Sequence, residues 1–226
     1  MNNATVQRKP VFSWEDIDTI LLDMDGTLLD KYFDDYFWEE YVPMIFAEVN
    51  NLTPEEAHMS LLARYERVES TLQWTDLDYW SDQLQLDIPE LKCRIEHLIQ
   101  VHPYVIDFLK FLHSKGKNVH LVTNAHSKTL EIKMRKTDLG PWFSRIVCSE
   151  EVGEAKEHPV FWDRLEKMLG FKRERTLLAD DTVKVLKSAQ KYGIQHLIHV
   201  ARSSSQLPVN FSPEFPSITY FKELIF

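Results

Sequence analysis

The sequence predicts an α/β fold, in which a doubly wound, mostly parallel sheet forms the core and a small α-helical cap domain is inserted into it. Two observations lead to this prediction. Short apolar segments of strand length alternate with helical patterns after residue 102, an order that produces parallel strands joined by right-handed crossovers. Between a first apolar segment near residue 20 and this alternation, residues 30–101 carry helical spacing without β-branched runs.

The first predicted strand begins at Ile17 and ends in the carboxylates of the sequence DMDGT. Its run of Ile and Leu is typical of a strand buried on both faces, and Gly26 ends it in a loop. Thr53 favours a helix start in the insertion, because its hydroxyl can cap a free amide and Pro54 suits the first turn. The helical segments predicted in the insertion are 33–49, 53–74 and 77–86.

In the second half of the chain, three helical patterns each end at a glycine: Gly116, Gly170 and Gly193. A turn-rich loop at 203–217 and a short C-terminal segment follow the last strand. The predicted elements in between are helix 104–116, strand 118–124, helix 127–137, strand 144–149, helix 159–170, strand 175–181, helix 182–193 and strand 194–201. We therefore assign 1–29 and 102–226 to the core domain and 30–101 to the cap domain.

The composition excludes several classes of protein. The net charge of −9 argues against binding a nucleic acid polymer, since phosphate backbones require clustered Lys and Arg. No apolar run approaches the roughly 20 residues of a membrane helix, and the first residues lack the apolar core of a secretory signal. Cys93 and Cys148 are too isolated for a disulfide framework or a thiolate metal site. We expect a cytoplasmic monomer or homodimer that acts on a small molecule.

Acidic residues follow two of the predicted strands: Asp23 and Asp25 the first, and Asp180 and Asp181 the strand at 175–181. Open α/β sheets bind their ligands at the carboxyl ends of the strands. Converging carboxylates repel one another, and a divalent cation is the ordinary remedy. Oxygen ligands favour Mg2+, which commonly shares one or two carboxylates with a substrate phosphate. The sequence therefore predicts a site for phosphate on Mg2+.

These motifs resemble those of the haloacid dehalogenase (HAD) superfamily, whose core is Rossmannoid. DMDGT resembles the first motif, LVTN at 121–124 the second, Lys156 the lysine of the third, and ADD at 179–181 the acidic pair of the fourth. The resemblance covers roughly 17–29 and 103–200. It implies a phosphatase in which Asp23 attacks phosphorus and is transiently phosphorylated.

The resemblance also implies the role of each further residue. Asp25 would protonate the leaving alcohol and then deprotonate water, while its main-chain carbonyl joins Asp23 and Asp180 as an Mg2+ ligand. Asp181 would bind the metal through water or steady Lys156. Thr123, Asn124 and Lys156 would bind the phosphoryl oxygens.

Some of these residues have simpler interpretations. Asp30 fits a helix cap, Thr123 an ordinary strand residue, and Lys156 a solvated surface lysine, because Glu154 and Glu157 flank it. Lys172 fits the spacing of the third motif less well. The nine histidines, among them His126, form no metal-ligand pair in the sequence.

The cap segments FDDYFW and LDYWSDQLQLDI are similar to a bacterial HAD subfamily of purine 5′-nucleotidases that act on GMP and IMP. The resemblance implies a purine nucleoside monophosphate as substrate. Trp38 and Trp80, with Tyr36, Phe37 and Tyr79, would suit stacking on the base. Aromatic residues at helical spacing are also typical of a bundle core, so the packing interpretation stays open.

Other functions stay open as well. A phosphatase of a sugar phosphate or of phosphoglycolate, or a β-phosphoglucomutase-like phosphotransferase, would keep all four motifs. Asp25 argues against a dehalogenase, because halide leaves without a proton. A signalling receiver domain would have the acidic pair at its first strand, and a non-enzymatic binding protein would have lost one of the four acids.

Overall fold

Six parallel strands form one sheet in the computed structural model, which describes residues 7–69 and 71–226. The strands are β1 (Thr19–Leu22), β2 (Asn118–Thr123), β3 (Arg145–Cys148), β4 (Thr176–Asp180), β5 (His196–Val200) and β6 (Ser217–Ile218). Their order is β3-β2-β1-β4-β5-β6, and all neighbours pair in parallel. The chain leaves β3 at one edge and returns beside β1 as β4. Such a switch point opens a crevice at the carboxyl ends of the two central strands.

Helices fill the insertion, and no strand lies between Tyr32 and Leu98 among its described residues. They are α1 (Tyr32–Tyr36), α2 (Val42–Asn50), α3 (Pro54–Tyr65), α4 (Leu72–Thr75), α5 (Leu77–Leu84) and α6 (Ile88–Arg94). A π-helical turn over Phe37–Tyr41 joins α1 to α2. As predicted, Thr53 caps α3: its hydroxyl accepts a hydrogen bond from the N–H of Glu56, whose carboxylate binds the N–H of Thr53 in return.

The predicted helical segment 53–74 is wrong in its extent, because α3 ends at Tyr65 and the short α4 begins only at Leu72. Among the described residues between Tyr65 and Leu72, Val68 is the one buried apolar side chain. Both the N–H and the hydroxyl of Thr71 donate to the Val68 carbonyl. A helix owes most of its stability to the packing of an apolar face, and this stretch offers too little of one.

Five helices cover the sheet: α7 (Val105–Ser114), α8 (Ser127–Thr137), α9 (Ser149–Val152), α10 (Pro159–Leu169) and α11 (Val183–Tyr192). Both faces of β1 are buried, because Leu21 packs with Phe161 and Leu186 in one apolar cluster while Ile20 packs with Phe108 in the other. The predicted doubly wound α/β fold is confirmed. No helix of the described ranges, 7–69 and 71–226, is both long and apolar enough to cross a membrane.

In the insertion, α6 (Ile88–Arg94) lies outside the predicted helical segments, and in the core one α-helix and one strand were not predicted. The four-residue α9 follows β3, and the end of the predicted loop 203–217 forms β6 at the edge of the sheet. Backbone hydrogen bonds hold β6 there, since the N–H of His199 donates to the carbonyl of Pro216 and that of Ala201 to Ile218, both at 2.8 Å. Two residues give no readable period, which is why the sequence pattern failed here.

The two connections between core and insertion lie side by side. Leu29 and Val101 form an antiparallel bridge, and the N–H of Asp30 donates to the carbonyl of Gln100 at 2.9 Å. The chain therefore enters and leaves the insertion at one place. This geometry supports the proposed domain boundaries, with the cap at 30–101.

Candidate active site

Asp23 and Asp180 lie side by side at the switch point of the sheet. The register of β1 on β4 pairs Leu22 with Ala179, so the next residues of the two strands are the two aspartates. The N–H of Asp23 donates to the carbonyl of Ala179 at 3.1 Å, which fixes the backbone where β1 ends. Both carboxylates are buried, with Asp23 6% and Asp180 1% exposed.

Lys156 bridges these two carboxylates. Its Nζ lies 2.5 Å from Oδ1 of Asp23, 2.7 Å from Oδ2 of Asp180 and 3.2 Å from the carbonyl of Val122. The side chain is 2% exposed, so the interpretation of Lys156 as a solvated surface lysine is wrong. Burial alone would lower its pKa, but Asp180 and Asp23 outweigh that effect and raise it, so the ammonium stays charged.

Three carboxylates form a cluster that could hold a divalent cation. Oxygens of Asp23, Asp180 and Asp181 all lie within 4.8 Å of one another. Burial raises the pKa of Asp23 to about 6 despite the opposing ammonium of Lys156, and it raises the pKa of Asp181 well above its usual value. Lys156 bonds only two of the three groups, so negative charge remains in excess. An all-oxygen set with excess negative charge fits Mg2+.

Gly26 makes room for this cluster. Its φ of +78° lies in the left-handed region that favours glycine, and an added Cβ would lie 2.6 Å from Cγ of Asp181. The tight turn after β1 thus has two reasons for glycine, a left-handed backbone and the close approach of a predicted metal-binding carboxylate.

Thr123 and Asn124 lie at the end of β2, beside the carboxylates. The hydroxyl oxygen of Thr123 accepts a hydrogen bond from the N–H of Ala125 at 3.0 Å and keeps its own proton free for a ligand. Asn124 is more occupied, because its Oδ1 accepts from the N–H of Lys156 at 3.0 Å and its Nδ2 donates to Glu157 at 2.9 Å. Asn124 therefore positions the loop of Lys156, and one amide proton remains for the predicted contact with phosphate.

Asp25 lies outside the three-carboxylate cluster but lines the same cavity. Its Oδ1 accepts a hydrogen bond from Lys133 at 2.5 Å, and burial raises its pKa to about 6 against the effect of that lysine. Of the acidic pair, Asp180 rather than Asp181 bonds Lys156, and Asp181 accepts a hydrogen bond from the hydroxyl of Thr182 at 3.3 Å.

Asp30 behaves as the simpler interpretation predicts. Its Oδ1 accepts from the N–H of Tyr32 at 2.9 Å, at the start of α1, and from the N–H of Ser205 at 3.0 Å. It binds the first amide of α1 and ties the loop after β5 to the start of the cap domain.

A second acidic group brings Asp76 and Asp78 together with His126, a proximity that the sequence did not suggest. The imidazole Nε2 lies 3.6 Å from Asp76, and the ammonium of Lys128 pairs with Asp78. His126, which precedes α8, and Lys128, in its first turn, already face the two carboxylates. We interpret the group as an ionic link between α5 and α8.

A cavity of about 780 Å³ extends from the carboxylates to the cap. This volume lies within the range of roughly 300–1,000 Å³ that is typical of small-molecule sites. Asp23, Thr123 and Lys156 line its inner end, and the aromatic side chains of Trp38 and Trp74 line the cap end. The cavity is therefore polar and charged where phosphate would bind, and aromatic farther out.

The structure separates the two tryptophans that were predicted to stack. Trp38 is half-buried and lines the cavity. Trp80 is 1% exposed, does not line the cavity and donates from its indole N–H to the carbonyl of Trp74 at 2.9 Å. Its ring packs edge-on against Tyr65, with centroids 5.1 Å apart. In this conformation Trp80 packs the cap core, and Trp74 takes its place at the cavity.

Two buried lysines near Asp25 were missed in the sequence. Lys133 and Lys92 are each 1% exposed. The signal for Lys92 was present, because it occupies the same helical face as Ile88 and Ile95, where a buried apolar residue is expected. A lysine at such a position requires a buried carboxylate partner, and Asp34 provides it at 2.9 Å.

Comparison with known proteins identifies relatives along almost the whole chain. The family model of the haloacid dehalogenase-like hydrolases matches residues 17–193. The GMP/IMP nucleotidase YrfG of Escherichia coli is 37% identical over 213 residues, which cover 94% of this chain and 96% of that protein. A phosphorylated carbohydrates phosphatase of Thermotoga maritima is 21% identical over 197 residues, covering 83% and 87%. The crystal structure of a HAD phosphatase from Thermococcus onnurineus has the same fold, with a TM-score of 0.77 at 21% identity over 92% of this chain and 96% of that one.

Proposed function

The chain belongs to the haloacid dehalogenase-like hydrolases and is a phosphoric monoester hydrolase, and from this premise we propose that it is a Mg2+-dependent 5′-nucleotidase for GMP and IMP. The observation that carries the proposal is the position of Asp23. Its carboxylate lies at the inner end of the cavity, bonded to Lys156 and next to Asp180. A carboxylate that lines the cavity beside a fixed cation is suited to attack a phosphate ester.

In the proposed reaction Asp23 attacks phosphorus and the ester oxygen departs. The ammonium of Lys156 and the hydroxyl of Thr123 offset negative charge on the phosphoryl oxygens as it develops. Lys156 is fixed before substrate arrives, because Asn124 holds its backbone and two carboxylates hold its ammonium. The product of this half-reaction is phosphorylated Asp23 and a nucleoside.

Mg2+ would be held by Asp23, Asp180 and the main-chain carbonyl of Asp25, with Asp181 directly or through water. When bound, it neutralises charge shared between the carboxylates and the phosphate. The excess of carboxylates over ammonium groups at the cluster supports this proposal.

Asp25 would serve both half-reactions. Its protonated carboxyl gives a proton to the departing ester oxygen, which leaves as an alcohol. The resulting carboxylate then takes a proton from the water that attacks the phosphorylated Asp23. Burial, which raises the pKa of Asp25 to about 6, favours a group that changes its protonation near neutral pH.

The purine specificity rests on the similarity to the E. coli nucleotidase and on the cap end of the cavity. Trp38 offers an aromatic surface there, and stacking on a base is worth about 1–3 kcal/mol. A base between the cap aromatics would leave its 5′-phosphate directed towards Asp23.

A panel of phosphate esters assayed with Mg2+ tests the proposal. It should include GMP, IMP and AMP, glucose 6-phosphate and phosphoglycolate, and p-nitrophenyl phosphate, with release of inorganic phosphate as the readout. We expect kcat/KM to be highest for GMP and IMP. A preference for glucose 6-phosphate or phosphoglycolate would overturn the nucleotidase proposal and leave the phosphatase chemistry intact. Turnover of a sugar phosphate only in the presence of its bisphosphate would indicate a phosphomutase.

A further inference from the structure

A chain of four charged side chains, two buried lysines and two partly buried aspartates, runs from Asp25 into the cap. Nζ of Lys133 lies 2.5 Å from Oδ1 of Asp25 and 2.5 Å from Oδ2 of Asp34. The other oxygen of Asp34 accepts a hydrogen bond from Nζ of Lys92 at 2.9 Å. With Asp25 ionised, two carboxylates and two ammonium groups leave no net charge. A buried network is tolerable in that arrangement, because every charge has an opposite partner.

The four residues come from different parts of the structure. Asp25 follows β1 and Lys133 lies on α8, both in the core, whereas Asp34 and Lys92 lie on α1 and α6 of the cap. Lys133 therefore connects Asp25, the proposed acid–base residue, to Asp34 of the cap domain.

The network continues to the cavity wall through aromatic rings. The ammonium of Lys92 lies 4.4 Å from the ring centroid of Phe37 and 5.6 Å from that of Trp38, both within cation–π range. Trp38 lines the cap end of the cavity. One continuous set of contacts thus joins Asp25, at the chemical end of the cavity, to the aromatic end where a base would bind.

We propose that Lys133 is a positioning residue for the acid–base step: it holds one oxygen of Asp25 and ties that carboxyl group to the cap through Asp34. This inference rests on the proposed phosphatase function. With Oδ1 fixed by Lys133, Oδ2 is the oxygen that exchanges the proton. The proton passes from Oδ2 to the departing ester oxygen, and the carboxylate regains one from the attacking water. A free carboxyl group would instead rotate, and catalysis falls steeply when a reacting group is misplaced by about 1 Å.

If Lys133 positions Asp25, the effect of replacing Lys133 on kcat/KM should depend on the leaving group of the ester. Benzyl phosphate releases an alkoxide that needs a proton, whereas p-nitrophenyl phosphate releases a stable phenolate that does not. The two esters are similar in size and neither contains a purine. A misplaced Asp25 should slow the first and spare the second, while a general disturbance of the cap should slow both alike.

The experiment measures kcat/KM for both esters in the unchanged protein and in Lys133→Met. We expect a loss of about 10- to 100-fold on benzyl phosphate and less than about 3-fold on p-nitrophenyl phosphate, since general acid catalysis contributes typically 10²–10⁴-fold. Arg135→Met is the matched control, because Arg135 lies on the same helix and pairs with Glu96 of the cap at 3.0 Å. It removes an ionic contact between core and cap without touching Asp25, and we expect both rates to be unchanged.

Lys133→Met leaves a buried excess of one negative charge and can fail to fold. The double variant Lys133→Met/Asp34→Asn restores neutrality between Asp25 and Lys92, and it carries the same expectation. Circular dichroism and thermal melting identify the folded variants. Equal losses on the two esters, or no loss on benzyl phosphate, in a folded variant without Lys133 would overturn the assignment.

Failure of the proposed function would look different. If the unchanged protein hydrolyses both esters but no purine nucleotide, the nucleotidase proposal fails and the two esters still test Lys133. If it hydrolyses no phosphate ester with Mg2+, the phosphatase function fails, and the Lys133 assignment that rests on it is overturned as well.

Discussion

Replacing Trp38 with Ala removes an aromatic surface from the cavity wall, and replacing Trp80 with Ala removes a neighbouring ring from the cap core. The two rings pack on each other, with centroids 5.7 Å apart, yet only Trp38 lines the cavity. Loss of a stacked base costs roughly 1–3 kcal/mol, or about 5- to 150-fold in kcat/KM for GMP or IMP. p-Nitrophenyl phosphate shares the phosphoryl site but has no purine, so Trp38→Ala should change its kcat/KM by less than about 3-fold.

Trp80→Ala should behave in the opposite way. Truncation of a buried tryptophan costs about 3–5 kcal/mol of stability, and here it also leaves the carbonyl of Trp74 without its indole partner. For a chain of this length that loss corresponds to a melting temperature lower by about 6–20 °C. Both substrates should lose activity alike. The reasoning is refuted if Trp38→Ala also impairs GMP and p-nitrophenyl phosphate equally and lowers the melting temperature, because Trp38 would then be a packing residue.

Three further predictions concern the metal cluster, its turn and the cap. Chelation should abolish phosphate release, and added Mg2+ should restore it. Ca2+ should be a poor substitute, because its larger and more flexible coordination misplaces the reacting groups. Full activity in the presence of chelator would contradict the proposed role of the carboxylates. Gly26→Ala should lower kcat by about tenfold or more, because its Cβ would displace Asp181 and even a displacement of about 1 Å is costly; wild-type kinetics would contradict this. Thr53→Ala should reduce the free energy of unfolding by about 0.5–2 kcal/mol, measured by urea denaturation, and leave kcat on p-nitrophenyl phosphate unchanged. An unchanged free energy of unfolding would show that the Thr53 capping box does not stabilise the protein.

The core and the inner end of the site could be predicted because their signals are local. Strands buried on both faces, such as β1, form continuous apolar runs, and their carboxyl ends meet at one edge of a parallel sheet. Asp23 and Asp180 therefore come together for reasons that the sequence alone contains. Gly26 is likewise explained by the turn that must follow the strand.

The cap end of the site could not be predicted in the same way. Helical spacing does not distinguish Trp38 from Trp80, because both could pack in the cap core or line the cavity. Only tertiary packing decides which ring faces the cavity. The partners of Lys133 are 108 residues away at Asp25 and 99 residues away at Asp34. No periodicity connects such positions. A lysine on an apolar helical face indicates that a carboxylate partner is needed, but the sequence does not identify that partner.

In the proposed reaction Asp23 becomes phosphorylated, and trapping the phosphorylated protein tests this step. Acid quenching during turnover of 32P-labelled GMP or p-nitrophenyl phosphate, followed by digestion and mass spectrometric fragmentation between Asp23 and Asp25, locates the label. We expect hydroxylamine-sensitive label on Asp23, and no label or phosphate release in a folded Asp23→Asn variant. Label on another residue, or turnover of Asp23→Asn within tenfold of the unchanged protein, would contradict the account.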